Sequence, residues 1–298
     1  MIALIAGTGA LPSAIVDELV AAGEMPLICV LSGFEPDVPD HLDRIGFRLE
    51  TLGTLIATLK DRGVTRLCMA GAIRRPDVDP SLIDAATAPL VPRIMQALGQ
   101  GDDGALRVII ALFEEVGIEV VAAHEIAPML LPRSGVQTRL GPRKQHHADA
   151  AYGDQIIAAM GAADVGQACV ISKRKLIVSE DVEGTDAMLV KLAEPYVAPK
   201  RSGNPAVALL RFVRDLLRGD RGGRQPGDNG ILYKAPKPDQ DRRADLPVIG
   251  PDTALNAAEA GLAGIVIEAG GVMVLDQPQV IRLLDGQGMF LWVREKPE

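Results

Sequence analysis

Residues 2–12 read IALIAGTGALP, and this stretch predicts how the first half of the chain folds. Residues 2–6 are all apolar and too few for an amphipathic helix, so they predict a buried strand. The turn Gly7-Thr8-Gly9 follows, and Pro12 suits the first turn of a helix that we expect to reach about Ala22. A buried strand, a glycine turn and a helix in this order are typical of an α/β domain.

The same alternation of strands and helices continues to about residue 122. Apolar runs predict strands at 27–31, 66–71 and 119–122, and apolar periodicity predicts helices at 54–62 and 103–116. Strands that alternate with helices indicate right-handed crossovers and a parallel sheet covered on both faces. The first half is therefore predicted to be a Rossmann-like domain, residues 1–135.

The second half, residues 136–298, is predicted to be an α+β domain with hairpins. A hairpin is expected at 168–182 with Lys173-Arg174-Lys175 at its turn, and another at 265–275 with its turn at Gly270-Gly271. Helices are also predicted at 148–163, 187–193 and 277–284, and a last strand is predicted at 289–293.

Size, charge and composition limit the classes of function. A chain of 298 residues is long enough for two domains with their own cores. The net charge of -8 and the aromatic content of 3% argue against nucleic-acid binding, which needs cations and stacking platforms. Cys29, Cys68 and Cys169 lack metal-ligand spacing, and no leader or apolar run of roughly 20 residues is found. We therefore expect a reduced cytoplasmic protein.

Two loops at predicted strand ends in the first half are candidate phosphate-binding sites. The GxG turn is either a tight strand-to-helix turn or a backbone cradle for a nucleotide, and Pro12 replaces the third glycine of a dinucleotide fingerprint. Arg74 and Arg75 either clamp a phosphate or pair with surface acids. Of Asp102 and Asp103, one is expected to cap a helix, which leaves the other for a ligand or metal. The candidate binding residues here are Gly7, Thr8, Gly9, Ala10, Leu11, Gly71, Arg74, Arg75, Asp102 and Asp103.

Residues 234–252, KAPKPDQDRRADLPVIGPD, form a charged loop in which four prolines oppose regular helix. Such a loop between a strand and a helix is either a solvated surface or a place for chemistry. Cations can hold a pyrophosphate, and a carboxylate among them can hold a metal or a water. The candidate catalytic residues are Lys234, Lys237, Arg242, Arg243 and Asp245.

Other polar residues of the second half add weaker candidates. Thr185 or Asp186 is expected to cap the helix after the first hairpin, whereas Glu183 is not needed for capping. Glu268 lies in an otherwise apolar strand, where a carboxylate is either exposed at an edge or functional. The histidines of the sequence HHAD, residues 146–149, point to different helix faces, so we expect mainly helix capping there.

A basic stretch interrupts the second half. Residues 200–224 hold seven basic and two acidic side chains, a local charge of 7 − 2 = +5. Within it, residues 205–218 predict an amphipathic helix with Arg211, Arg214 and Arg218 on one side. The helix is either packed on the domain or in contact with an anionic or lipidic surface.

The motifs together resemble one family, the bacterial UDP-2,3-diacylglucosamine pyrophosphatase of lipid A synthesis with two domains. The motifs are, in order, GTGALP, GAIRRPD, GDDGALR, EGTDAML, KAPKPDQDRRADLPVIGPDT and GLAGIVIEAG. EGTDAML and the segment around DLPVIG are the specific ones. The basic stretch from about residue 207 to 230 is longer than the family pattern.

The resemblance implies a UDP-binding first domain, a family-specific catalytic second domain, and hydrolysis to UMP and 2,3-diacylglucosamine 1-phosphate. It also implies Mg²⁺, a lipid-linked nucleotide-sugar substrate, a homodimer, and peripheral contact with the cytoplasmic face of the inner membrane. Asp245 matches the catalytic aspartate, and Thr185 falls in the family motif EGTDAML. The expected metal ligands are Asp245, with Glu183, Asp186 and Glu268 as second choices. A non-catalytic nucleotide-sugar binding protein, or a Rossmann-type oxidoreductase, is the alternative.

Overall fold

The computed structural model describes residues 1–73, 77–98, 102–194, 228–238 and 240–296, without the side chains of Leu98 and Asp102. The predicted helix 205–218 and the pair Arg74-Arg75 lie outside these residues. The chain divides into two compact units. Unit 1 holds Met1–Pro132 together with Asp239–Val248, and unit 2 holds Arg133–Pro238 and Ile249–Glu298.

Unit 1 is built on a five-stranded sheet in which every strand is parallel to its neighbours. Its strand order is β3-β2-β1-β4-β5. The chain therefore starts in the middle of the sheet, adds β2 and β3 on one side of β1, and then adds β4 and β5 on the other side. The strands are β1 (Ile2–Ala6), β2 (Leu27–Leu31), β3 (Arg44–Phe47), β4 (Arg66–Ala70) and β5 (Glu119–Val121). The helices are α1 (Leu11–Ala21), α2 (Leu52–Asp61), α3 (Val91–Leu98), α4 (Asp102–Glu115) and the single turn α5 (Ala123–Ile126).

Burial explains why this sheet forms. All five residues of β1 and of β2 are buried, which is typical of a parallel sheet with both faces covered. Leu55 and Leu59 of α2 and Phe113 of α4 belong to the same apolar cluster as these strands. The predicted parallel α/β domain is confirmed, and β3 is an edge strand that the sequence pattern did not predict.

Unit 2 contains a mixed six-stranded sheet in the order β6-β13-β11-β9-β7-β8. Neighbours β13, β11 and β9 are parallel, whereas β6, β7 and β8 pair antiparallel. Its strands are β6 (Gly135–Val136), β7 (Ala168–Ser172), β8 (Lys175–Ser179), β9 (Ile231–Lys234), β11 (Gly264–Glu268) and β13 (Phe290–Arg294). A separate two-stranded sheet pairs β10 (Val248–Ile249) with β12 (Met273–Val274).

Four helices belong to this part of the fold: α6 (Lys144–Ala162), α7 (Thr185–Ala193), α8 (Pro251–Glu259) and α9 (Gln277–Gly286). The first predicted hairpin is confirmed, because β7 and β8 pair antiparallel across the turn Lys173-Arg174. The second predicted hairpin is wrong. Gly270 and Gly271 do turn the chain, but β11 continues between two parallel neighbours while β12 leaves to pair with β10.

Candidate functional site

Backbone hydrogen bonds join the turn after β1 to the loop after β4. The N–H groups of Gly7 and Thr8 donate to the carbonyls of Ala70 (2.8 Å) and Ala72 (3.0 Å), and Ala72 N–H donates back to Thr8 O at 2.9 Å. A Cβ on Gly7 would lie 2.6 Å from the Ala72 carbonyl oxygen, so this position requires glycine. Two of the amides expected to cradle a phosphate therefore hold the two loops together.

Other expected binding residues of unit 1 lie at the same sheet edge. Gly71 has φ +92° and packs against Pro12, while Gly9 and Ala10 are exposed where α1 begins at Leu11. The carboxyl ends of β1 and β4 are the point where the strand order reverses, which is where open α/β sheets bind ligands. A nucleotide site at this edge stays a prediction.

The segment Asp239–Val248 comes from the second half of the sequence yet packs within unit 1. Ala244 contacts the apolar core of that unit, and Leu246 is buried. The Asp241 N–H donates to Asp103 Oδ1 at 3.2 Å, so one of the two predicted aspartates anchors this segment. Asp103 also pairs with Arg107 at 2.9 Å.

Arg243 fastens the same segment to α4. Its guanidinium binds Asp241 through Nε at 3.0 Å and Nη2 at 2.8 Å, and reaches Glu114 Oε1 at 2.6 Å. The hydrogen bond from Arg243 lowers the pKa of Asp241, and that bond raises the pKa of Arg243. Arg243 was expected to hold phosphate, whereas in unit 1 its charge is shared between two carboxylates. Arg242 is exposed.

Asp245 is exposed, and its orientation is set by its own segment. The amide of buried Gln240 donates from Nε2 to Asp245 Oδ2, and the Asp245 N–H donates to Asp241 O at 3.3 Å. Pro238, two residues before Gln240, and Pro247, two residues after Asp245, limit the backbone on both sides. Gln240 carries no charge, so a sequence search for ionisable groups did not select it.

Unit 2 holds a buried chain of polar groups at the carboxyl end of β9. Lys234 Nζ donates to Thr185 Oγ1 at 2.7 Å, and Thr185 Oγ1 donates to Glu180 Oε1 at 2.5 Å. Glu180 Oε2 accepts the N–H of Gln167 at 2.6 Å. Thr185 is therefore not the cap predicted for α7; Gly184, at φ 90°, occupies that position. Sequence reasoning missed Glu180, whose burial only the hairpin fold reveals.

Glu268 lies beside Lys234 on the sheet. It ends β11, whose Ile267 is in register with Lys234, and it is 7% exposed. A Cβ on Gly271 would come within 2.9 Å of Glu268 Oε1, so the carboxylate packs tightly against that turn. A buried lysine and a buried carboxylate thus end two neighbouring parallel strands.

Of the remaining predicted residues of unit 2, Glu183 and Asp186 are exposed, Lys237 is half-buried and His146 is buried. Glu183 and Asp181 pair with Lys191, Asp186 is exposed in the first turn of α7, and Lys237 Nζ contacts Asp164 at 2.6 Å. His146 Nδ1 accepts the N–H of Arg143 at 3.1 Å, which confirms the predicted capping. Burial lowers the pKa of His146.

A preformed cage of three metal-ligating side chains is not found among the residues that the structure describes. Three of the predicted ligands, Glu183, Asp186 and Glu268, belong to unit 2, whereas Asp245 belongs to unit 1. Mg²⁺ uses one or two carboxylates with waters and substrate oxygens rather than an all-protein cage. An exposed, oriented carboxylate such as Asp245 fits that requirement.

Sequence comparison places both halves in one family. Residues 1–130 match the profile of the LpxI N-terminal domain, and residues 133–292 match that of the LpxI C-terminal domain. The chain belongs to the LpxI family. A relative from Caulobacter vibrioides, "UDP-2,3-diacylglucosamine pyrophosphatase LpxI", is 35% identical over 289 residues, 97% of this chain and 95% of the relative.

A solved structure, "Crystal structure of gox2253", gives a weaker comparison. It covers 64% of this chain and 57% of its own, with 16% sequence identity and a TM-score of 0.28. At that TM-score it contributes no argument about this LpxI chain. Within the described ranges, no helix of the chain is long and apolar enough to cross a membrane.

Proposed function

We propose that this LpxI chain hydrolyses the pyrophosphate of UDP-2,3-diacylglucosamine, a lipid-linked nucleotide sugar, to UMP and 2,3-diacylglucosamine 1-phosphate in lipid A synthesis. The observation that carries the proposal is the 35% identity to a relative of that name over 97% of the chain. The match of both domains to one pyrophosphatase favours hydrolysis over an oxidoreductase.

The described residues supply parts that this chemistry needs. Attack of water on an anionic pyrophosphate requires charge neutralisation and an oriented acceptor for the proton of the water. In the proposal Asp245 either takes that proton or ligates Mg²⁺, and the hydrogen bond from Gln240 fixes its carboxylate. Bound Mg²⁺ would supply charge neutralisation and water activation.

The cations Lys234, Lys237 and Arg242 are proposed to neutralise phosphate charge. Thr185, itself held by Glu180, fixes the ammonium group of Lys234 at the end of β9. The uridine half is proposed to bind at the carboxyl ends of β1 and β4, near Gly9 and Ala10. A homodimer and a peripheral position on the cytoplasmic face of the inner membrane complete the proposal; both rest on the family resemblance.

The test is turnover of UDP-2,3-diacylglucosamine in detergent by the purified full chain, with Mg²⁺ or with a chelator, followed by phosphorus NMR of both products. The proposal expects UMP and 2,3-diacylglucosamine 1-phosphate in equal amounts, and expects the chelator to stop their formation. Tight substrate binding without products would favour the non-catalytic alternative. Protection of the amides of Gly9 and Ala10 from hydrogen exchange by UMP would support the uridine position, and protection only beyond Pro132 would contradict it.

A further inference from the structure

The turn of the β7–β8 hairpin has an unusual sequence for its conformation. Lys173 and Arg174 both have φ 55°, and Ser172 pairs with Lys175, so the loop has two residues, both left-handed. Two-residue turns of this kind favour Asn-Gly, because side chains are disfavoured at positive φ. Two cations therefore occupy positions where local preference selects a small neutral pair.

A buried carboxylate holds this turn in place. Asp149 is 1% exposed, and its oxygens accept the N–H of Lys173 at 3.3 Å and the N–H of Arg174 at 2.5 Å. Asp149 belongs to the second turn of α6, so the hairpin turn is fixed against the beginning of that helix. The backbone is thus pinned, while the side chains of both basic residues are exposed.

The beginning of α6 adds cations to the same end of unit 2. Arg143, the N-cap, and Lys144, the first residue of the helix, are exposed, and no acidic residue lies in the first turn. Cations there oppose the helix dipole, which favours negative charge. Lys144 precedes Asp149 by five residues, so the start of the helix lies about 7.5 Å along the helix axis from the residue that holds the turn. Within the described ranges, the ion pairs found involve none of Arg143, Lys144, Lys173, Arg174 and Lys175.

This cationic end is remote from the buried lysine of unit 2. Ala168, at the start of β7, is in register with Lys234, and the turn begins five residues later. Five strand residues span about 17 Å, so the basic turn lies at the opposite end of the sheet from Lys234 and Thr185. Its charges therefore act on a different anion from any phosphate held by Lys234.

We propose that the β7–β8 turn, with the first turn of α6, is a docking surface for the anionic phospholipid headgroups of a membrane. Residues that break local conformational preference mark functional sites. Here the hairpin turn and the start of α6 both do so, and together they place five cations at one end of unit 2. Leu176, beside the turn, is 41% exposed and adds an apolar contact. The chain carries a net charge of -8, so attraction to an anionic bilayer requires a local basic surface such as this one. The proposal rests on the lipid substrate of the proposed function.

The test replaces the turn by its preferred neutral sequence, Lys173→Asn with Arg174→Gly. Because Asn-Gly suits the turn, the variant is expected to unfold at or above the wild-type temperature. Each cation near an anionic surface contributes roughly 1 kcal/mol, so binding to phosphatidylglycerol–phosphatidylcholine vesicles should fall about 30-fold. The matched control, Lys60→Gln with Arg133→Gln, removes two exposed cations elsewhere and should bind as wild type does.

Two further measurements separate the lipid surface from other occupants. Vesicles of phosphatidylcholine alone should bind wild type and the Asn-Gly variant equally weakly, and hydrolysis of detergent-dispersed substrate should be unchanged. If the Asn-Gly variant binds anionic vesicles as tightly as the wild type does, the proposal is overturned. Loss of activity in detergent would also overturn it, because that result would assign these cations to the substrate. Vesicle binding is measured without substrate, so its result is independent of whether the proposed hydrolysis occurs.

Discussion

Lys234 Nζ donates a hydrogen bond of 2.7 Å to Thr185 Oγ1, and both side chains are buried. The bond ties the carboxyl end of β9 to the beginning of α7 across 49 residues of sequence. Thr185 Oγ1 in turn donates a hydrogen bond to Glu180 Oε1, so a buried cation and a buried anion are linked through one hydroxyl. Such a chain stabilises the fold only while each member keeps its partner.

Thr185→Val should therefore destabilise the protein by about 1.5–3 kcal/mol, the cost typical of losing hydrogen bonds to charged groups. Thr185→Ser should retain most of the stability, because the hydroxyl remains. Thr253→Val is the matched control: Thr253 is also buried, but the hydrogen bond that it accepts comes from a backbone N–H, that of Gly250, at 3.4 Å. Urea unfolding of the three variants measures the difference, and equal losses for Thr185→Val and Thr253→Val would contradict it.

The sequence predicted the fold well where apolar runs are continuous. The strands at Ile2–Ala6 and Leu27–Leu31 have the predicted bounds, because both are buried on both faces. It failed where pairing depends on distant partners. Residues 265–275 look like a hairpin around two glycines, but β9 and β13 flank β11 and leave no place beside it for β12.

The sequence selected residue types for the candidate site but did not predict their contacts. The charged segment around Asp245 was identified, yet packing of that segment within unit 1 depends on Asp103 and Glu114, more than a hundred residues earlier. Arg243 was selected for its charge, whereas its partners make it an anchor of the segment. Gln240 and Glu180 were missed, because a neutral amide and one carboxylate among several have no distinctive local pattern.

Asp245→Asn should lower kcat for the proposed hydrolysis by at least about 10²-fold, the usual effect of losing a general base or charge-stabilising group. Substrate affinity should change little, since the cations proposed to hold phosphate remain. Single-turnover kinetics and equilibrium binding of the substrate measure the two effects separately. Asp241→Asn serves as the comparison: it weakens the Arg243 anchor and should act through stability. Near wild-type turnover by Asp245→Asn would remove Asp245 from the mechanism.

Glu50 gives unit 1 a stability that depends on pH. It is buried, and hydrogen bonds from Arg48 Nη2 at 3.0 Å and from the Asp79 N–H at 2.8 Å lower its pKa from 4.5 to about 2. Because the pKa of Glu50 is lower in the folded protein than in the unfolded chain, its ionised carboxylate stabilises the folded protein at pH values above 4.5. That contribution is lost as the pH falls from 4.5 toward 2.

Glu50→Gln should therefore be less stable than wild type at neutral pH, and the difference should shrink below about pH 4.5. Urea midpoints from neutral pH to about pH 3 test this, with Glu35→Gln as an exposed control that should show no such convergence. A difference between Glu50→Gln and wild type that is constant with pH would show that the carboxylate charge is not what stabilises this region.

Gln240 is the position that most directly tests how Asp245 is oriented. The buried amide donates to one Asp245 oxygen, and it carries no charge of its own. Gln240→Glu keeps the size of the side chain but places a second carboxylate against the first. Two carboxylates in contact cannot both ionise easily, so the pKa of Asp245 should rise. If Asp245 acts in its ionised form, the acid limb of the kcat/KM profile should move to higher pH by about one unit or more.

Gln96→Glu is the control, because Gln96 is exposed on α3 and its replacement adds the same charge to unit 1. Its profile should superimpose on that of wild type. Gln240→Leu should lower kcat without moving the acid limb upward, since it removes the donor but adds no charge. A residue that only supports the fold would change the amount of active enzyme and leave the shape of the profile intact. An unshifted acid limb in Gln240→Glu would therefore separate Gln240 from the chemistry of Asp245.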